Sequence, residues 1–232
     1  LSVAASVAHD PQRAPRHGHS QRGIPRPAGR GGRIHTERVA HGPRQFVRTE
    51  DVGGGVPTLE SLKPKSLADR WIVSRAQRLT AEVTRLVNEY QFGEAGRQIF
   101  DFLWSEYCDW YIETSKAQLQ DAAQRERTAH ILRAVLDRAL RLLHPFMPYV
   151  TEEVWQNLYA DVAAEQRPAP ALIVARWPTV TEAQLDETAE ADYALLQEII
   201  SSIRDARKQA EVEPGRRVEA ILVSSGKAAL LK

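Results

Sequence analysis

A few places in this chain bring together residue types that could do chemistry, and each fails on its spacing. Gly226-Lys227 is the one candidate phosphate loop, but such a loop needs Gly at 221 and Ser or Thr at 228, where Ile221 and Ala228 stand. Gly53-Gly54-Gly55 has no strand before it and no helix opening directly after it, so it is not a dinucleotide fingerprint. Glu152 and Glu153 are adjacent, so on a helix their carboxylates point about 100° apart and cannot share a substrate. His17 and His19 invite a metal, yet nothing nearby supplies a second ligand pair at helical spacing. His130 and His144 have no serine or cysteine partner in the sequence and read as surface or helix-end residues. Cys108 is the only cysteine, which excludes an intramolecular disulfide and a cysteine-based zinc site; it reads as a small buried hydrophobe in a protein of the reducing cytosol. No set of residues is arranged for general acid-base or nucleophilic catalysis, so no catalytic residue and no metal ligand is assigned.

The elements that must position any binding residue begin late in the chain. Residues 1–50 are rich in Arg, Pro, Gly and His, hold five of the seven histidines, and follow neither a helical nor a strand period, so they are expected to be disordered. They read as a basic tail able to attract phosphate or as an out-of-frame translation, given their bias toward residues with GC-rich codons. They carry nine Arg against Asp10, Glu37 and Glu50, which leaves 22 basic and 27 acidic side chains in the rest. The body is therefore slightly acidic, and an RNA contact there would need a local basic face. With 43% hydrophobic residues the chain can build a core over most of its 232 residues. No apolar run approaches the roughly 20 residues that span a bilayer, and the first residues lack a secretory pattern, which predicts a soluble, cytoplasmic protein with no membrane partner.

After a linker over 51–65, helical periodicity starts. Ser66 is placed to cap a helix whose Ile72, Ala76, Leu79, Val83, Leu86 and Tyr90 make one apolar stripe, with Arg70, Arg78 and Arg85 opposite. Gly93 and Gly96 open a second helix whose Ile99, Phe100, Leu103, Trp104, Tyr107, Cys108, Tyr111 and Ile112 predict an aromatic, heavily buried face. A third helix runs from about Ala122 to Leu143, burying Leu132, Val135, Ala139 and Leu142, and stops at His144-Pro145. Thr151 with Glu152 and Glu153 reads as the cap and acidic first turn of a fourth helix carrying Val154, Trp155 and Leu158. A linker over 161–171 leads to a short strand, Leu172 to Trp177. A long helix from about Asp186 to Ala210 follows, with Leu196, Ile199, Ile203 and Ala206 on its inner side and Arg204, Arg207 and Lys208 near its end. Pro214-Gly215 then turns into a strand, Val218 to Val223. The fold class is mainly α: an antiparallel helical bundle over 66–160, followed over 161–232 by a small, truncated α/β portion.

Four stretches carry a resemblance to a known family. Leu67-Ala68-Asp69-Arg70-Trp71-Ile72-Val73-Ser74-Arg75 resembles the opening of the anticodon-binding domain of class I aminoacyl-tRNA synthetases for valine, isoleucine and leucine. Phe102-Leu103-Trp104-Ser105-Glu106-Tyr107-Cys108-Asp109-Trp110-Tyr111-Ile112-Glu113, with Lys116 one turn on, is similar to the valyl version of the next helix. Leu142-Leu143-His144-Pro145-Phe146-Met147-Pro148-Tyr149-Val150-Thr151-Glu152-Glu153-Val154-Trp155 resembles the last corner of the valyl bundle, and Arg176-Trp177-Pro178 the strand beyond it. The resemblance covers roughly 66–225. It implies that Arg44 to Val47 is where the chain joins the family, which favours the frameshift reading for residues 1–43, and that the chain stops short of the family's C-terminal coiled coil.

The resemblance also implies a function. The intact family attaches valine to its tRNA using ATP and Mg²⁺ held by a His-Ile-Gly-His motif and a Lys-Met-Ser-Lys-Ser loop. Neither motif occurs here, so no cofactor is expected in this fragment and the fragment is expected to be inactive as an enzyme on its own. Its expected partners are valine tRNA and the catalytic domain of the same protein, in a monomer. Arg75, Arg97, Trp104 and Lys116, on or beside the aromatic helix, are the candidate RNA-binding residues, since unstacked bases need flat side chains and stem phosphates need cations. For Trp104, Trp110 and Trp155 burial in the core is the favoured alternative. A helical interaction scaffold without RNA binding is the rival function.

Overall fold

The structure, a computed structural model, describes residues 56–213 and 215–217. These divide into two units, 56–196 and the residues from 197 on. Residues 1–50, Gly53 to Gly55, the strand expected at Val218 to Val223 and Gly226-Lys227 lie outside the described residues.

Ser66 caps α1 (Leu67–Asn88) as its residue type dictates, its Oγ accepting the Asp69 N–H at 3.0 Å. The same oxygen accepts from the Gln118 amide at 2.9 Å, which ties the start of α1 to a segment 52 residues further on. Ile72, Ala76, Leu79, Val83 and Leu86 form the expected buried stripe. Tyr90 does not join it. The helix ends at Asn88, and Tyr90 sits beyond it with φ 61° and 82% of its surface exposed. Its conformation lets the Gln91 N–H reach the Leu86 carbonyl (2.8 Å) and its own N–H the Val87 carbonyl (3.1 Å), the hydrogen-bond pair that closes a helix through a left-handed residue.

A second helix follows without a break through three windings: α2 (Phe92–Asp101), a π-helical stretch (Phe102–Ile112) and α3 (Glu113–Gln120). The π winding places more than four residues in each turn, and this overturns the single aromatic face expected from α spacing. The side chains turned inward are Ile99, Phe102, Tyr107, Tyr111 and Ser115, while Phe100, Trp104 and Cys108 are left exposed. Cys108 is thus no core hydrophobe, and Trp104 departs from the core reading that Trp155 (fully buried) and Trp110 (packed against the core) follow. The buried phenols are partnered: Tyr107 donates to the Leu132 carbonyl and Tyr111 to the Asp69 carboxylate, both at 3.0 Å, and burial raises both above the usual tyrosine pKa.

α4 (Arg125–Leu143) starts three residues later than the pattern suggested, because Asp121 accepts the Ala123 N–H (2.9 Å) and holds 121–124 in a turn. α5 (Pro148–Leu158) starts four residues earlier. Pro148 takes the first helical position, where a missing N–H costs nothing, and Met147 precedes it. Thr151 is therefore inside the helix, its hydroxyl bonded back to the Met147 carbonyl at 2.7 Å, and Glu152 is free to accept the Leu172 N–H at 2.9 Å. The direction of packing can be read from partner pairs: Ser66 meets Gln118, Asp69 meets Tyr111 and Arg75 meets Glu106, so one number falls as the other rises. Thr128 with Gln118 and Asp137 with Trp155 repeat the relation for the next helices. The bundle is antiparallel.

No strand forms over Leu172 to Trp177. Leu172–Val174 is a single 3-10 turn and the residues after it pair with no strand; no strand occurs among the described residues. Leu172 buries in a second apolar cluster with Trp155, Tyr159, Val162 and Leu140, while Ile173 and Val174 face outward. The Trp177 indole donates to Thr84 of α1 at 2.9 Å. These irregular segments are held by a buried polar junction. The Arg138 guanidinium, on α4, donates to Gln77 (2.9 Å) and Thr80 (3.2 Å) of α1 and to the Thr179 carbonyl (3.0 Å), and it pairs with Glu60. Gln77 in turn accepts the Thr181 N–H at 3.0 Å and donates to Gln184 at 2.7 Å, and Gln184 donates to the Leu59 carbonyl at 2.8 Å.

α6 (Glu187–Gln209) is capped by Asp186, whose carboxylate accepts the Ala189 N–H at 2.9 Å. Its first part lies on the bundle: Tyr193 stacks on Trp71 at 3.9 Å between centroids, and Leu196 packs on the core. In the second unit, Ile203 and Ala206 are half-buried, Arg207 and Lys208 occupy the last turn, and the helix closes through Glu211 (φ 50°), with the Val212 N–H on the Arg207 carbonyl at 3.0 Å.

Two outcomes follow for stability. Arg138→Ala strips several buried acceptors of their donor and is expected to cost about 3 kcal/mol in urea unfolding. Tyr90→Gly relieves a left-handed residue that buries little, so the unfolding free energy in urea should rise, by up to about 1 kcal/mol.

Candidate nucleic-acid interface

The antiparallel packing of α1 on α2 and the π segment puts Arg75 and Arg97, 22 residues apart in sequence, on the rim of one cleft of about 340 Å³. Arg78 completes its basic side. Glu82, Asp101 and Glu106 face them, Gln98 stands among them, and Leu79 and Phe102 supply the apolar lining. Arg75 is held rigidly, its Nε and Nη2 donating to the two oxygens of Glu106 at 2.7 and 2.8 Å, with Glu190 of α6 3.8 Å away. This forked geometry raises the guanidinium pKa, chiefly through the Glu106 hydrogen bonds.

Arg97 is more open, with 59% of its side chain exposed. It bridges Glu94 and Asp101 on its own helix, and its hydrogen bonds bring the Glu94 carboxyl down to about 2. Three residues on, Phe100 and Trp104 lie on the solvent side as a parallel pair, ring planes 1° apart and centroids 6.4 Å apart, each more than 60% exposed. Their i, i+4 spacing sets the two rings on one side of the helix. Arg97, which lines the cleft, lies one turn before Phe100 on the same helix. Lys116 does not line the cleft; it lies further along the helix, exposed and paired with Glu113 at 2.5 Å.

Of the residues singled out from sequence, then, Arg75 and Arg97 share one cleft, while Trp104, paired with Phe100, and Lys116 lie outside its lining. Sequence reasoning missed Phe100, which it placed in the core, and Arg78 and Gln98. The signal for Phe100 was its i, i+4 relation to Trp104. The other arginines of α1 are bound to carboxylates: Arg70 to Asp186 (2.7 Å), Arg78 to Glu190 (2.8 Å) and Arg85 to Glu82 and Glu89 (2.6 and 2.5 Å). Anions approaching this surface must exchange with these partners, each worth little where solvent reaches it.

His144 is a helix-end residue, as read, its Nδ1 sharing a hydrogen bond of 2.8 Å with the Thr151 hydroxyl. His130 is half-buried, and desolvation lowers its pKa. Among the described residues no three His, Cys, Asp or Glu side chains converge to hold a metal ion. No helix among them is long and apolar enough to cross a membrane.

The sequence of this chain is similar to that of known proteins. Residues 69–222 match the model of the anticodon-binding domain of tRNA ligase. The valine–tRNA ligase of Bacillus subtilis (strain 168) is 40% identical over 163 residues, which cover 69% of this chain and 18% of that protein. That of Dehalococcoides mccartyi (strain CBDB1) is 44% identical over 165 residues, 71% of this chain and again 18% of the relative. The chain thus corresponds to less than a fifth of the length of the relatives it matches. An antiparallel helical bundle with an open aromatic and arginine-bearing second helix, matched over 69–222, places this chain in the family of anticodon-binding domains of tRNA ligases.

Proposed function

We propose that this chain binds the anticodon stem-loop of valine tRNA as part of a valine–tRNA ligase, and that attachment of valine with ATP and Mg²⁺ is the work of a catalytic part elsewhere in the same protein. The bundle over 66–160 is the binding body and 161–232 a smaller attached portion; on this reading the fragment alone has no ligase activity, works as a monomer and acts in the cytoplasm. Family membership and the relatives' shared name support the assignment. The observation that carries it is the Phe100–Trp104 pair: two large rings kept parallel and in water, on the same helix as Arg97, whose exposed fork is paired with Glu94 and Asp101. Two neighbouring exposed rings offer a surface on which unstacked bases can lie.

The mechanism needs no chemistry. A splayed loop base stacks on the Trp104 or Phe100 face, a contact worth about 1 to 3 kcal/mol. Arg97 and Lys116 trade their exposed carboxylate partners for phosphates of the stem, at little cost because both pairs are solvent-exposed. Arg75, fixed by Glu106, presents an oriented donor at the cleft. Selection follows because a tRNA that fits here has its 3′ end carried to the distant catalytic site.

Titration by filter binding should show the chain preferring valine tRNA over another tRNA at low salt; equal binding of both overturns the assignment. Trp104→Ala, at an exposed position that leaves the fold intact, should weaken binding by about 5- to 150-fold. The double variant Arg97→Ala, Lys116→Ala should weaken binding and flatten its salt dependence by about one unit of slope per lost phosphate. A helical interaction scaffold would be unmoved by either change.

A further inference from the structure

We propose that Glu190, in the first turn of α6, is a specificity-determining residue: it withholds Arg78 from the phosphate backbone, so that this surface does not bind RNA irrespective of sequence. This rests on the RNA-binding reading above and deepens it. Glu190 comes from outside the bundle over 66–160, 112 residues from Arg78, and its side chain is only 18% exposed. Both of its oxygens accept the Arg78 Nε–H, at 2.8 and 2.9 Å, the Ser74 hydroxyl donates to it, and Arg75 Nη1 stands 3.8 Å away. Packing as well as charge delivers it there. Tyr193, one turn on, is fully buried, stacks on Trp71 at 3.9 Å and shares a hydrogen bond of 2.9 Å with Thr114. Asp186, one turn back, is held by Arg70 at 2.7 Å. The helix dipole favours an acid in a first turn, but it does not require that acid to face two arginines of α1.

The pairing differs from those of Arg85 and Arg97. Both of these bind carboxylates one turn away on their own helix, with partners 38% to 53% exposed, and such pairs exchange for phosphate at little cost. Arg78 lines the cleft and is open to an approaching backbone, yet its counter-charge is tied to the docking of α6. Its other partner, Glu187, is 87% exposed and bonded at 3.2 Å, so Glu190 is the group that holds it. A cation free to meet phosphate strengthens binding without reading sequence. It helps the wrong RNA more, because valine tRNA is fixed in register by its loop contacts, whereas another tRNA can shift until a phosphate lies on the cation. Specificity is a difference of affinities, and removing a contact open to the wrong partner raises it.

The test is a titration of the whole chain against valine tRNA and a second tRNA, followed by fluorescence anisotropy over a range of salt. With Glu190→Gln, which keeps the shape and removes the charge, the second tRNA should bind about threefold tighter at about 50 mM salt, with a salt slope steeper by about one unit, as one added phosphate contact dictates. Valine tRNA should gain less, so the preference narrows. Adding Arg78→Gln to that variant should abolish the gain, which simple loosening of α6 would not do. Glu190→Asp, with the charge kept but withdrawn by one methylene, should show part of the gain and carries the test if circular dichroism finds Glu190→Gln unfolded. Unchanged binding of the second tRNA, weaker binding of both, equal gains for both, or a gain that survives in the double variant each overturns the proposal. Failure of the unaltered chain to prefer valine tRNA overturns the broader assignment and this one with it, and is told apart because it appears before any substitution is made.

Discussion

A helix that gains most of a residue per turn cannot keep the apolar stripe that α spacing would give it, and the π winding of Phe102–Ile112 is the constraint around which the rest of the bundle is arranged. It sends Phe102, Tyr107 and Tyr111 inward at spacings of five and four, where they meet α1 and α4, and leaves Trp104 on the outside beneath Phe100. Two of the inward residues are phenols, so the core must provide acceptors for them. Asp69, fully buried at the start of α1, and the Leu132 carbonyl of α4 serve that need. Core and exposed platform are thus two results of one backbone irregularity, which is the sort of place where such irregularities are found in functional helices.

Away from that helix the molecule relies on buried polar groups more than on regular structure. The stretches at 56–65 and 161–186 have only short 3-10 turns. They are fastened by Arg138, Gln77 and Gln184 in one junction and by Glu152, Asp137 and Trp155 in another, where the Trp155 indole donates to Asp137 at 2.6 Å. Because these groups are out of water, each hydrogen bond that is made avoids a desolvation cost larger than its net worth, so the segments hold their places without a sheet.

The surface electrostatics follow the same economy. The body is slightly acidic, and the arginines of α1 and α2 are all in ion pairs, Arg75 and Arg78 with Glu190 of α6 among their partners. Such a surface attracts polyanions weakly at long range and selects by exchange of partners at contact, so its discrimination comes from the shape of the cleft and the flat rings more than from bulk charge. That pairing explains why counting charges along the chain gave no argument for RNA, whereas the arrangement of the residues does.

What the sequence by itself determined was local. Ser66 before an apolar stripe is a cap wherever it folds, His144-Pro145 ends a helix, and a 3.6-residue period from Leu67 to Leu86 fixes which face of α1 is buried, since these depend on backbone sterics and on neighbours within one turn. The joining of Arg75 to Arg97 was legible only as proximity to the same helix. Tertiary structure decided the rest. Whether Trp104 is core or surface depends on a winding that the side-chain pattern does not announce. Leu172 to Val174 has the composition of a strand but no neighbouring edge to pair with, and strand formation is a property of two segments and not of one. Pro148 claimed the first turn of α5 ahead of Thr151, because a proline at that position loses no hydrogen bond. Each of these outcomes turns on partners distant in sequence or on competition between two acceptable local solutions, and packing is what settles such a competition.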